Sequence, residues 1–216
     1  MNPDAVEIRV AACLIEKQRT TPDIYPLSLN ALRIACNQAT NRDPVVDYDE
    51  ATVAEALRRL ALRGWTRLAS GAGSRARKYR HLLDEAFDLD EAEISLLAML
   101  MLRGSQTPGQ LKQRSDRLHP FVDLAAVQET VDRLVERGYV TRHERRPGQK
   151  EDRYEQLLGP ASTEPTPTAA GGEQADRGDG APAGGDVPAE SRLDRLERQL
   201  GELRAELAEL RAELGD

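Results

Sequence analysis

Arg59-Leu60-Ala61-Leu62-Arg63-Gly64-Trp65 and Arg133-Leu134-Val135-Glu136-Arg137-Gly138-Tyr139 are two versions of one helix ending. In each, glycine follows an arginine at the point where a left-handed residue costs little, and an aromatic residue leads on. The similarity extends outward. Asp4-Ala5-Val6-Glu7-Ile8 resembles Asp90-Glu91-Ala92-Glu93-Ile94, and Tyr79 with Leu82-Leu83 resembles Tyr154 with Leu157-Leu158. The offset is 86 residues at the start and 74 to 75 later, so the first copy carries 12 extra residues, placed around 20–27 and 37–47. A solenoid would need three or more short units, so two copies of one small domain are expected.

Each copy reads helix, helix, helix, strand, turn, strand. In the first, helix 1 opens at Pro3 or Asp4 with Glu7 placed for a capping box, and Val6, Val10, Cys13 and Leu14 recur at helical spacing. A second helix opens at Ser28 and a third at Asp49, with Val53, Ala56, Leu57 and Leu60 on its apolar side. Residues 65–68 and 77–82 read as strands around the turn Ser70-Gly71-Ala72-Gly73-Ser74. In the second copy, Asp90 with Glu93 and Thr107-Pro108 with Gln110 start two helices, and Asp123 starts a third. Residues 139–143 and 152–157 form a hairpin around Arg145-Arg146-Pro147-Gly148. Three helices closed by a β-hairpin describe a winged helix. The fold class expected is mainly α with small β-hairpins (α+β), as two tandem winged-helix domains at 1–86 and 87–159. Units of this size have marginal cores alone, so the copies are expected to pack together.

The composition changes at Gly159-Pro160. Residues 160–190 are almost all Ala, Ser, Thr, Glu, Pro, Gly and Asp, too poor in apolar surface to offset ordering entropy, which predicts a disordered linker. Residues 191–216 then place leucines at 193, 196, 200, 203, 207, 210 and 214, in alternating steps of three and four. Leu193, Leu196, Leu200, Leu203, Leu207, Leu210 and Leu214 would fill every a and d position of a coiled coil, making the chain a homo-oligomer, most simply a dimer. A single amphipathic helix docked on its own body also satisfies the pattern.

Charge divides along the same boundary. Residues 1–160 hold 24 Lys/Arg and 24 Asp/Glu, whereas 161–216 hold 6 Arg and 13 Asp/Glu. The longest apolar run, 94–102, is broken by Ser95 and far short of the roughly 20 residues that span a bilayer. The first residues lack the basic and apolar regions of a signal peptide, and two cysteines cannot build a disulfide scaffold. A cytoplasmic protein with no membrane contact is expected.

Further blocks carry a resemblance. Cys13-Leu14-Ile15-Glu16-Lys17-Gln18, Thr20-Thr21-Pro22-Asp23, Tyr25-Pro26-Leu27-Ser28-Leu29-Asn30-Ala31-Leu32, and Asn41-Arg42-Asp43-Pro44-Val45 occur in order. Lys78-Tyr79-Arg80-His81, His119-Pro120-Phe121 and Glu151-Asp152-Arg153-Tyr154 come after them. Over residues 4–158 the chain resembles the bacterial YceH-like family. The resemblance implies a tandem winged-helix fold and, commonly, a leucine-rich coiled tail. It carries over no catalytic or binding residues.

Chemical motifs are sparse. Gly71-Ala72-Gly73-Ser74-Arg75-Ala76 fits a loose dinucleotide pattern, but that pattern needs a helix to follow and a strand is expected instead. His119 is expected to pack or cap, and Cys13 and Cys36 to be buried. No catalytic residue, metal ligand or cofactor is assigned, and the chain is not expected to be an enzyme. The polar stretch around Asn37, Gln38 and 41–44 reads as amides satisfying backbone groups, or as a recognition loop.

The hairpins concentrate positive charge: Arg67, Arg75, Arg77, Lys78 and Arg80 in the first, and Arg142, Arg145, Arg146 and Lys150 in the second. Guanidinium and ammonium groups on such wings suit phosphates or the minor groove of DNA. The third helices open with Asp49, Glu50 and Glu55, and with Asp123 and Glu129, which opposes major-groove reading. Two readings stand: a DNA-binding or regulatory protein contacting phosphates through basic wings, and a protein-interaction scaffold whose winged helices and coiled tail are docking surfaces.

Overall fold

Asp4 accepts the backbone N–H of Glu7 while the Glu7 carboxylate accepts the N–H of Asp4, so the first helix starts at its capping box. A computed structural model describes residues 2–69, 77–145 and 151–160. The expected turn at 70–74, residues 146–148 of the turn expected at 145–148, residues 161–190 of the expected linker and the leucine repeat lie outside the described residues. Arg75, Arg146, Lys150 and all seven repeat leucines lie outside them too.

Among the described residues the protein is a mixed α and β structure of seven α-helices and two small antiparallel sheets. Helix α1 spans Ala5–Thr20. Ser28 caps α2, Leu29–Cys36, and Asp49 caps α3, Glu50–Leu62. Strands β2 (Thr66–Leu68) and β3 (Lys78–His81) follow. A short α4, Leu83–Phe87, leads to α5, Glu91–Arg103, which opens on the Asp90 and Glu93 capping box. Thr107 and Gln110 form a third box at α6, Pro108–Ser115, and Asp123 caps α7, Leu124–Glu136. Strands β4 (Val140–His143) and β5 (Arg153–Gln156) end the body. Gly64 and Gly138 leave α3 and α7 at φ 74° and 75°, the left-handed exits read from the repeated motif.

The extra residues of the first half build something the sequence pattern did not predict. After a 3₁₀ turn at Pro22–Ile24, the two-residue β1 (Leu27–Ser28) pairs antiparallel with β3, giving the order β1-β3-β2. Leu27 stands opposite Tyr79. The second half reduces this strand to one bridge, Gln106 opposite Tyr154.

The two halves share one apolar core. Helices α1 and α5 pack against each other, and both are buried on nearly every side, from Glu7 to Glu16 and from Glu93 to Leu102. An apolar surface all round a helix must find partners in every direction, and here the two central helices supply them for one another. Each buried leucine or isoleucine contributes about 1.5–3 kcal/mol. Helix α4 adds a joint. Its Phe87 ring lies 5.1 Å from Trp65 and 5.1 Å from Tyr139, the aromatic residues that follow the two helix-ending glycines. No helix of the described residues is long and apolar enough to cross a membrane.

A repeated ionic clamp closes each half. Arg59 pairs with Asp4 at 2.8 Å and Arg63 with Glu7 at 3.0 Å. Arg133 pairs with Asp90 at 3.2 Å and Arg137 with Glu93 at 2.9 Å. The two glutamates are buried, so the last turn of each third helix neutralises the capping box of its first helix.

Candidate nucleic-acid interface

Strand period decides which side chains of the first hairpin point outward. Tyr79 and His81 of β3 turn toward the core, so Lys78 and Arg80 share the other face with Arg67, which lies directly opposite Arg80. Arg77 precedes the strand and is exposed. Arg80 is neutralised by Glu85 of α4, at the start of the chain's return into the body. Among the described residues no ion pair reaches Arg67, Arg77 or Lys78. The face therefore carries three cations, Arg67, Lys78 and Arg80, against one close carboxylate, with Arg77 exposed just before it. Like charges opposite one another weaken a sheet; here Arg80 pairs with Glu85 and Arg67 is exposed.

The second hairpin is different. Arg142 is held by Asp152, whose other oxygen accepts the Arg145 backbone N–H. Those two donors hold the Asp152 carboxyl below the usual carboxylate range. His143 Nε2 lies 2.9 Å from Glu155. Arg145 is exposed. Of the expected second wing, Arg142 is thus compensated, Arg145 has no ion pair among the described residues, and Arg146 and Lys150 lie outside them.

The tip of α3 is as acidic as read, but Glu55 is bound by Arg58 at 2.7 Å. On α7, Ala125, Gln128, Glu129, Asp132, Arg133 and Glu136 line a shallow depression. Gln128 also donates to Asp132 and to the Tyr154 hydroxyl, tying this helix to β5. Carboxylates on both third helices make a poor match for a phosphate-lined groove.

The polar stretch of the first half is exposed at 41, 43 and 44 and anchored by one buried residue. Arg42 is 5 % exposed. Its guanidinium meets Glu16 at 2.5 Å, the Ala35 carbonyl at 3.0 and 3.1 Å, and Gln38 at 3.0 Å. Asn37 closes on Tyr48, accepting its N–H at 2.9 Å and donating to its carbonyl at 2.8 Å. Arg9, also buried, donates to the carbonyls of Cys36 and Pro44. Those amides and guanidiniums satisfy backbone groups, the first of the two roles expected of the stretch.

The remaining chemistry-bearing residues have packing roles. Cys13 and Cys36 are buried and free of disulfides. The hydrogen bond to Cys13 and burial push the Cys36 thiol up, away from thiolate reactivity. His119 stacks edge-on against Phe121 at 4.6 Å. The segment 71–76 lies outside the described residues, and the element after it is strand β3 rather than a helix. Among the described residues no group of three or more His, Cys, Asp and Glu stands ready to hold a metal.

One cluster had no signal in the sequence pattern. Arg103 at the end of α5, Arg114 on α6 and Arg153 on β5 are far apart in sequence, yet Arg103 and Arg153 both act electrostatically on Arg114. Burial and these two cations hold the Arg114 guanidinium below the usual arginine range. Only a contact pattern linking residues 103, 114 and 153 could have exposed it.

Other proteins are similar to this chain in sequence. The family profile described as protein of unknown function, DUF480, matches residues 4–149. A UPF0502 protein of Geobacter metallireducens is 47 % identical over 200 residues, covering 91 % of this chain and 88 % of that one. A UPF0502 protein of Pseudomonas syringae pv. tomato is 43 % identical over 198 residues, covering 91 % and 86 %. A third, from Pelobacter propionicus, is 52 % identical over 155 residues, covering 71 % and 70 %.

Proposed function

The chain belongs to the DUF480 family of bacterial UPF0502 proteins, and on that premise we propose that it is a tandem winged-helix protein that binds DNA phosphates chiefly through its first hairpin. The observation carrying this reading is the outward face of β2 and β3. Arg67 and Lys78 are uncompensated by any carboxylate in ion-pair range among the described residues, and Arg77 lies beside them. Phosphate contact of this kind is independent of sequence and releases counterions. The second hairpin, where Asp152 holds Arg142, has a lesser part, and the acidic third helices do not read base edges. Dimerisation through Leu193 to Leu214 doubles the contact surface and raises avidity.

The test is fluorescence anisotropy of a labelled random-sequence duplex with the full chain across a salt series. Replacing Arg67, Arg77 and Lys78 with alanine flattens the slope of log affinity against log salt by roughly three units, about one per lost phosphate contact. Replacing Arg142 and Arg145 changes it by less. An unchanged slope in the triple variant rejects the hairpin mechanism.

A second reading, the protein-docking scaffold, has one observation in its favour. Val122 is 92 % exposed and Leu124 44 % exposed at the entry to α7, next to the acidic surface of that helix. A partner retained after nuclease treatment, and released by Val122→Asp, supports it over DNA binding.

A further inference from the structure

We propose that Arg103, Arg114 and Arg153 form a binding site for a phosphate group, placed where the end of α5 and the start of α6 meet the loop at 37–44. The inference does not depend on the hairpin reading and concerns a different surface.

Several arginines held against the body meet a carboxylate: Arg42 has Glu16, Arg63 has Glu7, and Arg137 has Glu93. These three do not. Arg103 donates to the Asn41 side-chain oxygen at 3.0 Å, and Arg114 to the Gln106 side-chain oxygen at 2.9 Å. Arg153 donates to the Ser105 carbonyl at 2.6 Å, to the Ser105 hydroxyl at 3.4 Å and to Gln110 at 3.5 Å. Every acceptor is neutral. These bonds orient three planar groups around the 103–106 corner without cancelling their charge. A guanidinium has five N–H donors, so each keeps donors free for a ligand.

The charge balance defines the ligand class. Asp43 is the carboxylate whose field reaches Arg114, and it forms no ion pair there within the described residues. Three guanidiniums, none in an ion pair among the described residues, outnumber the two nearby carboxylates, Asp43 and Glu151, the latter 3.9 Å from the Cβ position of Gly109, and leave a net positive charge for an anion such as a phosphate monoester. A single carboxylate ligand offers two oxygens and one charge, too few for three forks approaching from α5, α6 and β5. Arginine forks match phosphate oxygens in pairs. The geometry of the site is also set in advance. Gln106 is fully buried and anchored by its own amide to the Met99 carbonyl at 2.9 Å, so the acceptor that holds Arg114 is fixed before any ligand arrives.

The phosphate could belong to a small monoester or to a nucleic acid, and the experiment separates the two. Thermal melting of the full chain is followed over an inorganic phosphate titration at constant ionic strength set with chloride. Wild-type melting temperature rises and saturates, as binding to the native state alone requires. Phosphate also stabilises proteins by exclusion from their surface, but that effect does not saturate and is blind to these residues. Arg114→Gln with Arg153→Gln weakens the saturating response at least about tenfold, the loss expected for charge-assisted pairs. Arg103→Gln, whose one bond is to an exposed asparagine, serves where the double variant does not fold, and weakens the response in the same direction. Arg117→Gln, exposed just beyond the end of α6, leaves it unchanged. A duplex without terminal phosphates that displaces inorganic phosphate assigns the site to a nucleic-acid backbone; no displacement assigns it to a monoester. A wild-type response that never saturates, or that is identical in the Arg103→Gln variant, overturns the proposal. Loss of DNA binding in the hairpin variant with the phosphate response intact leaves the site standing, and the converse result leaves only the hairpin.

Discussion

In the first half of the body, Arg59 and Arg63 reach back to Asp4 and Glu7; in the second, Arg133 and Arg137 reach back to Asp90 and Glu93. The halves then diverge at their sheets. The first carries a third strand, a buried Arg42 joint and an outward basic face, whereas the second has a single bridge and a hairpin in which Asp152 compensates Arg142. The shared clamp fixes how a third helix meets a first helix, a requirement of any such half. The divergent hairpins are free of that requirement, so they are where the two copies differ in what they present to solvent.

The largest effect should come from the joint that only the first half possesses. Arg42→Met leaves the buried Glu16 with Lys17, 3.6 Å away, as its only cation among the described residues, so much of its charge is orphaned and stability falls by about 3 kcal/mol, read as a drop in the urea midpoint at pH 7. Adding Glu16→Leu to it removes the orphaned charge and recovers most of that loss. If the single variant melts like wild type, the extra loop is not an anchor and the contrast between the halves is cosmetic.

Next in size is a pH effect confined to one sheet. His81, opposite Thr66, is 1 % exposed, while the corresponding place opposite Val140 holds Gln156. Burial pushes the His81 imidazole down to about 4, despite Asp84 at 3.5 Å from its Nδ1. In the unfolded chain a histidine titrates near 6.5. Between those values the unfolded state binds a proton that the native state refuses, so stability falls as pH drops from about 6.5 to about 4, by at most roughly 3 kcal/mol. His81→Gln, which installs the second half's residue, should flatten that part of the pH profile. A wild-type and variant difference that does not change with pH would show His81 protonated in the fold.

The smallest of the three tests the shared part. Glu7→Gln and Glu93→Gln should each cost about 1–3 kcal/mol, because a buried charged acceptor becomes neutral beside two guanidiniums. Similar losses in both halves would sharpen the view of one clamp used twice. A loss in only one would mean that the ion pairs look alike but bear unequal weight.

Helix beginnings were legible because they are local. Asp4 with Glu7, Ser28, Asp49, Asp90 with Glu93, Thr107 with Gln110, and Asp123 each cap a helix within three residues of themselves, and the glycines at 64 and 138 need no partner to turn left-handed. Strand β1 was not legible, because two residues have no periodicity and owe their conformation to β3. Helix α4 escaped for a similar reason: five residues carry little pattern, and Phe87 is placed by the rings on either side of it. Within the candidate site, the sequence identified which residues are cationic but not which are compensated. By residue type Arg80 and Arg142 equal Arg67; Glu85 and Asp152 beside them make the difference.

The order of the longer helices and their caps were set by the chain itself, since each rests on neighbours a few positions away. Which charges cancel, which arginines stand together at residues 103, 114 and 153, and which polar groups are sealed inside were decided by folding. Electrostatic interaction depends on distance and dielectric in space, and neither exists until remote segments are packed.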